Sequence, residues 1–450
     1  MSSATVTSTP VLGTAHRKRV AIGATVGTTV ENYDFIGYGT AAGLYFGHAF
    51  FPSEDPLTAT LLSFATLGVG FAARPIGGIV GGYLGDKVGR KPVLIGSLLV
   101  MGLATFAIGL LPTYATVGAL APVLLVIVRI IQGLAFGAEW GGAILMTYEH
   151  APWKKKGQYG AIPQAGFPLG LLLANLAFLA SSPLPGDWAW RVPFLLSALL
   201  IGAGIYIRLR ITESPEFETA KEDGELESNP LRTVITRDWR NLLRAFGMRI
   251  AETAGYAVAI TYLTAYVRDS GFASTSQTIL ALVIAALLGF PATLLWGRLT
   301  DRVGRKPVYL FGTAVMVVMG VPFFLLVQSG ELLLVVAVFV ISFAVVQNCL
   351  AGTQSAWFPE LFSTGTRSSG ASLAYQLAAV ISGFTAFWCV SLFDAFGWTG
   401  PAVLYSAYGL VGLVAALSTR ETFGARRRRE VDEATAAAEP MTTTPSPASA

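Results

Sequence analysis

Charge is scarce in this chain, and that scarcity limits what it can fold into. Asp, Glu, Lys and Arg make up 13% of the 450 residues, about half the share of a soluble domain, while hydrophobic residues make up 53%. A soluble surface needs charge to cover it, so most of this chain must face lipid. The 49 glycines agree, since transmembrane helices use Gly for close packing. A soluble enzyme is excluded, and an all-α membrane protein is predicted. Cys349 and Cys389 fall in apolar stretches, and His16, His48 and His150 match no metal-ligand spacing. Neither a metal nor another cofactor is expected, and no nucleic-acid partner. The first apolar run follows Arg17-Lys18-Arg19, carries Glu31 and Asp34, and shows no cleavage site, so it is read as a retained span.

Crossing the hydrocarbon takes about 20 apolar residues. Twelve stretches qualify, at roughly 20–46, 59–84, 92–111, 121–147, 157–180, 191–209, 242–267, 276–299, 307–328, 332–354, 368–392 and 399–419. They divide the chain into an N-terminal tail (1–19), a six-helix half (20–209), a polar linker (210–241), a second six-helix half (242–420) and a tail predicted to be disordered (421–450). The linker and the loops holding Lys87, Arg90, Lys91, Lys154–Lys156, Arg302, Arg305 and Lys306 are rich in Lys and Arg. The opposite loops carry Glu54, Asp55, Asp187, Glu331 and Asp394. The positive-inside rule then puts both termini in the cytoplasm of a multi-pass cell-membrane protein. Arg426–Arg429 would face anionic headgroups.

An internal repeat relates the halves. Residues 82–92 read GYLGDKVGRKP and residues 297–307 read GRLTDRVGRKP, eight identities in eleven after the second span of each half. Two such halves about an axis along the membrane normal form a transporter plan with the substrate site between them. The repeat resembles the signature loop of the major facilitator superfamily: Gly82, Asp86, Lys87, Gly89, Arg90 and Lys91, then Gly297, Asp301, Arg302, Gly304, Arg305 and Lys306. The resemblance implies that these residues gate, the aspartate latching onto a helix of the other half, where a carboxylate gains from helix-end N–H groups. Arg129-x-x-Gln132-Gly133 is similar to the superfamily's second motif.

Glu31-Asn-Tyr-Asp34-Phe35, Ala73-Arg74-Pro75-x-Gly77, Gly137-x-Glu139-Trp140-Gly141-Gly142, Glu213-Ser214-Pro215-x-Phe217 and Ala374-Tyr375-Gln376 resemble the metabolite:proton symporter family. That family includes permeases for shikimate, α-ketoglutarate, citrate and proline/betaine. Asn32 stands where Trp is usual and Ala138 where Gly is usual; neither change removes an ionisable group.

Ionisable groups at helix centres cost about 2.5–3.5 kcal/mol each, so they are retained when they face a partner or a cavity. Glu31 and Asp34 share one helix face and are the candidates for proton coupling, against the alternative of a structural ion pair. The proton would be the coupling ion. Arg74, about 18 Å along its helix from Asp86, and Arg129 are the candidates to hold an anion or to pair with acids of the same half. Glu139, flanked by Gly133, Gly137 and Gly141, reads as a brace on a close-packed face. Arg249 and Glu252 either neutralise each other or free the arginine for an anion clamp. Tyr33, Tyr38, Gln132, Gln164, Tyr256, Tyr375 and Gln376 supply uncharged polar groups for substrate.

The expectation is a monomeric, proton-coupled importer of a small organic acid, working by alternating access. A zwitterion such as proline or betaine is the alternative substrate. Drug antiport and a non-transporting sensor rank below; a membrane-embedded enzyme would need a catalytic cluster the sequence lacks.

Overall fold

In a bilayer every backbone N–H and C=O must be satisfied inside its own segment, which leaves the helix for a chain of this pattern. The computed structural model describes residues 14–53, 56–88, 90–139, 147–148, 151–209, 230–362 and 366–424, and these are overwhelmingly helical. Twelve spans follow: α1 (14–50), α2 (Pro56–Val88), α3 (Arg90–Leu110), α4 (Leu120–Glu139), α5 (Lys156–Ser181) and α6 (Trp188–Leu209). The second half holds α7 (239–269), α8 (Thr275–Val303), α9 (Arg305–Gln328), α10 (Leu332–Leu361), α11 (Arg367–Phe396) and α12 (Thr399–Ser418).

Among the described residues nine helices are long and apolar enough to cross a membrane by composition alone. The other three are α1 and α7, whose faces carry Glu31, Asp34, Arg249 and Glu252, and α3, whose apolar stretch is only Ile95–Leu110. The outer surface shows why lipid is the solvent. Leu103, Leu199, Leu287, Leu295, Val318 and Leu333 point outward and are exposed, while Asp34, Arg74, Arg129, Arg249 and Glu252 are buried. Large apolar side chains facing outward, with ionisable ones held inside an otherwise apolar core, depart from the soluble pattern.

Helices of one half approach to backbone contact where glycines allow it. A Cβ on Gly133 would stand 2.1 Å from Gly70 O, one on Gly137 2.0 Å from Arg74 O, and one on Gly77 2.0 Å from Leu134 O. The α2–α4 crossing therefore runs on a stripe of absent side chains. Between the halves, Phe384 of α11 sits in the notch over Gly68 of α2, and Phe71 of α2 sits over Gly383 of α11. Pi-helical turns interrupt α1 at Ala42–Phe46, α7 at Ala257–Tyr262 and α10 at Ile341–Gln347. Such turns recur at functional sites. Those in α1 and α7 occupy the first helix of each half.

Of the linker, residues 210–229 lie outside the described residues; Pro230–Thr236 forms a short helix leading into α7. The boundary expected at residue 421 needs correction. Glu421 and Thr422 are not loose: their side chains bond the loop end of the second half, as set out below.

The glycine stripe predicts a sharp contrast. Gly137→Val forces its methyls into the α2 backbone and should lower stability by about 1–3 kcal/mol. Gly78→Ala, whose Cβ meets Gly137 O at an ordinary 3.5 Å, should leave stability unchanged. Thermal unfolding in detergent checks both, and equal behaviour would refute the reading.

Candidate functional site

Two small cavities lie side by side at the centre of the bundle. The larger, about 40 Å³ and room for a few waters, lies between the halves. Its polar lining is made of hydroxyls: Thr40 from α1, Thr253, Tyr256, Thr261 and Thr264 from α7, and Ser382 from α11. Leu67, Phe71 and Leu282 contribute apolar surface. Tyr256 is also packed edge-on against Phe167 of α5, with ring centroids 5.1 Å apart.

The second cavity, about 10 Å³ or room for one water, lies within the first half and is lined by Asp34, Arg74, Arg129 and Gln132. Asp34 is 1% exposed, and neither of its carboxyl oxygens meets a hydrogen-bond donor of good geometry. The Thr105 hydroxyl stands beside it but is committed, donating to Met101 O at 3.0 Å and accepting from Gln132 Nε2 at 2.6 Å. Gln132 in turn accepts from Arg129 Nη1 at 2.6 Å. Arg129 and Gln132 sit three residues apart, one helical turn on α4, so both reach the same cavity. Arg129 Nε and Nη2 have no hydrogen-bond partner. The guanidinium is stacked 4.0 Å over the Tyr38 ring and 4.9 Å from that of Phe35. Gly70 makes room for it, since a Cβ there would lie 2.5 Å from Arg129 Nε.

Arg74 is enclosed by three aromatic faces, with Cζ at 4.3 Å from Phe35, 4.2 Å from Phe71 and 3.8 Å from Phe136. Cation–π contacts of this kind are worth about 0.5–2 kcal/mol each and hold a guanidinium without neutralising it. Glu31, Arg129, Arg249 and Tyr375 lie within Coulomb range of Arg74.

In the second half Arg249 pairs with Glu252, one turn on, and donates to Gln354 Oε1 at 3.1 Å. Glu252 also accepts from Gln347 Nε2, and the guanidinium lies over the Tyr375 ring. Arg249 and Glu252 thus form an ion pair on α7. Tyr375 has Gln164 beside it, and Gln376 reaches Gly137 O at 3.5 Å. Tyr33 donates to Pro193 O at 2.6 Å and Tyr38 shares a hydrogen bond with Thr66, so both tyrosines tie helices of the first half together. The cluster around Asp34 gathers Tyr38, Arg74, Arg129 and Gln132; Tyr33 faces α6, and Tyr256 faces the interfacial cavity.

The two halves touch on either side of the cavities. At one end Asp301 of α8 accepts from the backbone N–H groups of Gly157 and Gln158, at 2.7 and 2.8 Å, capping the start of α5 in the other half. Gly157 and Gly297 make the approach possible, a Cβ on Gly157 lying 2.5 Å from Gly297 O. Arg305 bonds Asp301 at 3.0 Å and Glu360 at 3.2 Å. Glu360 further accepts from Tyr148 at 3.3 Å and from Thr422. Glu421 accepts from the N–H groups of Arg305 and Lys306 at the start of α9, whose Gly304 takes a φ of 104°. Lys306 caps the end of α12 at Leu417 O and Thr419 O; Arg302 stays exposed. At the other end Gly39 and Gly43 of α1 lie against Thr261 and Ala265 of α7.

Some expected residues fall outside this account. Of the first signature loop, Gly82, Asp86 and Lys87 close α2, and Arg90 and Lys91 open α3; Gly89 lies outside the described residues, as do the side chains of the others. Glu139 ends α4 with its side chain outside the description, and Gly141 lies outside it altogether. Residues missed from sequence include Thr105, Phe136, Gln354, Glu360 and Glu421. Only the two acids carried a signal, as rare charges flanking an apolar span.

Twelve helices in two halves, with cavities between and within them, define a secondary transporter by their fold. The chain matches the model of the Major Facilitator Superfamily over residues 24–387 and 273–445, and it belongs to that family. It is 38% identical over 418 residues to the inner membrane metabolite transport protein YhjE of Escherichia coli K12, covering 90% of this chain and 94% of that protein. It is 33% identical to the shikimate transporter of the same organism (94% and 99% covered) and 32% identical to its proline/betaine transporter (90% and 84%). Among solved structures it resembles the proton:xylose symporter XylE bound to 6-bromo-6-deoxy-D-glucose, with a TM-score of 0.69 at 19% identity, covering 92% of this chain and 98% of that one. The chain is a multi-pass membrane protein that performs secondary transport of a small molecule, in a family of transporters and not of enzymes.

The Asp301 latch predicts a population shift. Asp301→Ala removes two bonds to α5 and one to Arg305, each worth about 1.5–3 kcal/mol where a charge takes part. The open form of this end should gain about tenfold or more in population. Spin labels at Lys154 and Arg302 should report longer distances, and an unchanged distribution would count against the latch.

Proposed function

We propose that this protein is a proton-coupled symporter of a small carboxylated metabolite, with Asp34 carrying the proton and Arg129 answering to the anion. One observation carries the reading: two unsatisfied Asp34 oxygens and two unsatisfied Arg129 N–H groups belong to residues that line the same cavity. A buried carboxylate with no donor and a buried guanidinium with free N–H groups are each costly by several kcal/mol. Protonation relieves the first. A protonated Asp34 can donate to the free lone pair of Thr105 Oγ, which Gln132 and Met101 leave open. Arg129 is then held only by Gln132 and by aromatic faces, so its remaining fork is available to a carboxylate. When Asp34 loses its proton, Arg129 is the nearby cation able to pair with it, and the anion is released. Binding proton and anion together, and releasing them together, is symport.

The second half supplies the counterwall. Its hydroxyls suit a substrate with hydrogen-bonding groups beyond its carboxylate, and the paired Arg249 and Glu252 add no net charge. Glu31 assists from the face it shares with Asp34. Asp301 and the first-loop Asp86 gate the cytoplasmic end, with both termini on that side and the monomer as the working unit. A zwitterion such as proline or betaine is the second reading. The three aromatic rings around Arg74 favour it, since such faces also hold quaternary ammonium groups.

Transport in proteoliposomes tests the choice, with shikimate, α-ketoglutarate, citrate, benzoate, proline and glycine betaine each run with and without an inward proton gradient. A carboxylate accumulated only under the gradient supports the first reading; proline or betaine alone supports the second. Asp34→Asn should abolish gradient-driven accumulation and spare substrate exchange, and accumulation by that variant would remove Asp34 from the role. Arg129→Lys loses the fork and should cost roughly 2–5 kcal/mol of affinity for an anion, more than tenfold in uptake at low concentration. Equal losses for a neutral substrate would point to a structural role instead.

A further inference from the structure

Phe35 is the residue, among those described, that lines both central cavities. On the interfacial side its neighbours are Ile36, Gly39 and Phe71; on the other they are Asp34, Arg74 and Arg129. The ring is seated edge-on against Phe71, with centroids 4.6 Å apart, and tilted against Phe136 at 5.9 Å. Arg74 stacks on it at 4.3 Å and Arg129 lies at 4.9 Å. It is only partly buried.

We propose that the Phe35 ring is the movable partition between the interfacial cavity and the Asp34–Arg129 cavity. In this conformation it keeps the hydroxyl-lined chamber apart from the charged one. Displacing the ring joins them into one space that reaches both sets of groups. The ring's seat depends on charge. It packs on two guanidinium groups, and when Arg129 turns toward a carboxylate one of those contacts weakens. A single aromatic side chain thereby links occupancy of the charged chamber to access from the interface. The consequence for coupling rests on the symport reading above; the partition itself does not.

The test separates the two. In a chain with Cys349→Ala and Cys389→Ala, Met101→Cys places a thiol in the wall of the Asp34 chamber, where Met101 is 1% exposed. The purified protein in detergent is treated with methyl methanethiosulfonate, a small neutral thiol reagent. With Phe35 present labelling should be slow; Phe35→Ala should speed it about tenfold, with Phe35→Leu in between because it keeps bulk and loses the cation–π seat. Equal rates in all three overturn the proposal. The leucine variant guards against loss of fold in the alanine one, since it preserves apolar packing on Phe71. A parallel measurement of substrate-free proton leak in liposomes addresses coupling. Faster labelling with faster leak supports partition and symport together. Faster labelling with unchanged leak supports the partition and counts against its tie to proton passage.

Discussion

The rest of this architecture depends on the cost of an unpartnered charge in a low-dielectric interior. A membrane protein gains little by hiding apolar side chains from lipid that is itself apolar, so helix association relies on close packing and on polar contacts. Each buried ionisable group here has been given a different answer to that cost. Arg249 has a carboxylate one turn away and an amide across the bundle. Arg74 has three aromatic faces. Arg305 has two carboxylates at the loop end. Asp34 and Arg129 have the least, and they share a cavity. Single atoms of Arg249, Glu252 and Arg305 also lack a hydrogen bond, but those side chains each have an ion pair, which Asp34 and Arg129 lack.

The contact between Asp301 and α5 follows from the same rule applied to backbone. The start of α5 would leave N–H groups unbonded at the interface of the halves; Asp301 satisfies two of them from the other half. The bond exists only while the halves are apposed, so the helix end stores a preference for one state. Glycines at positions 157 and 297 permit the approach, and Arg305 and Glu360 fix the aspartate's direction. Residues after α12 join in through Glu421 and Thr422, tying the loop end of the second half to the last span.

Much of the fold was legible because lipid imposes simple accounting. Span length, charge deficit and the repeated loop required no knowledge of side-chain packing, and the expected spans align with the observed helices to within several residues. The pairing of Glu31 with Asp34 and of Arg249 with Glu252 on shared faces was likewise readable from spacing. What escaped depends on contacts between helices distant in sequence. Thr105 is one threonine among many until α3 sets it between Gln132 and Asp34. Phe71 looks like ordinary apolar filler, and although Phe35 ends the Glu31–Phe35 motif, sequence carries no sign that α1 and α2 turn both rings onto the same guanidinium. Both faces of these helices are apolar, so periodicity could not say which one faces inward.

The asymmetry between the halves has a mechanistic meaning. Their helices and signature loops repeat, yet the ionisable groups do not: the first half keeps an unpaired acid and base, and the second closes its arginine with Glu252. A pair that is satisfied in one conformation can remain satisfied in another if both members ride on the same helix, as Arg249 and Glu252 do. Asp34 and Arg129 ride on α1 and α4, so the distance between them can change when those helices shift. Coupling between a proton and a conformational change needs that second kind of pair, whose energy depends on the arrangement of the helices. The second half keeps the Arg249–Glu252 pair on one helix and adds hydroxyls from α7 and α11 to the cavity between the halves.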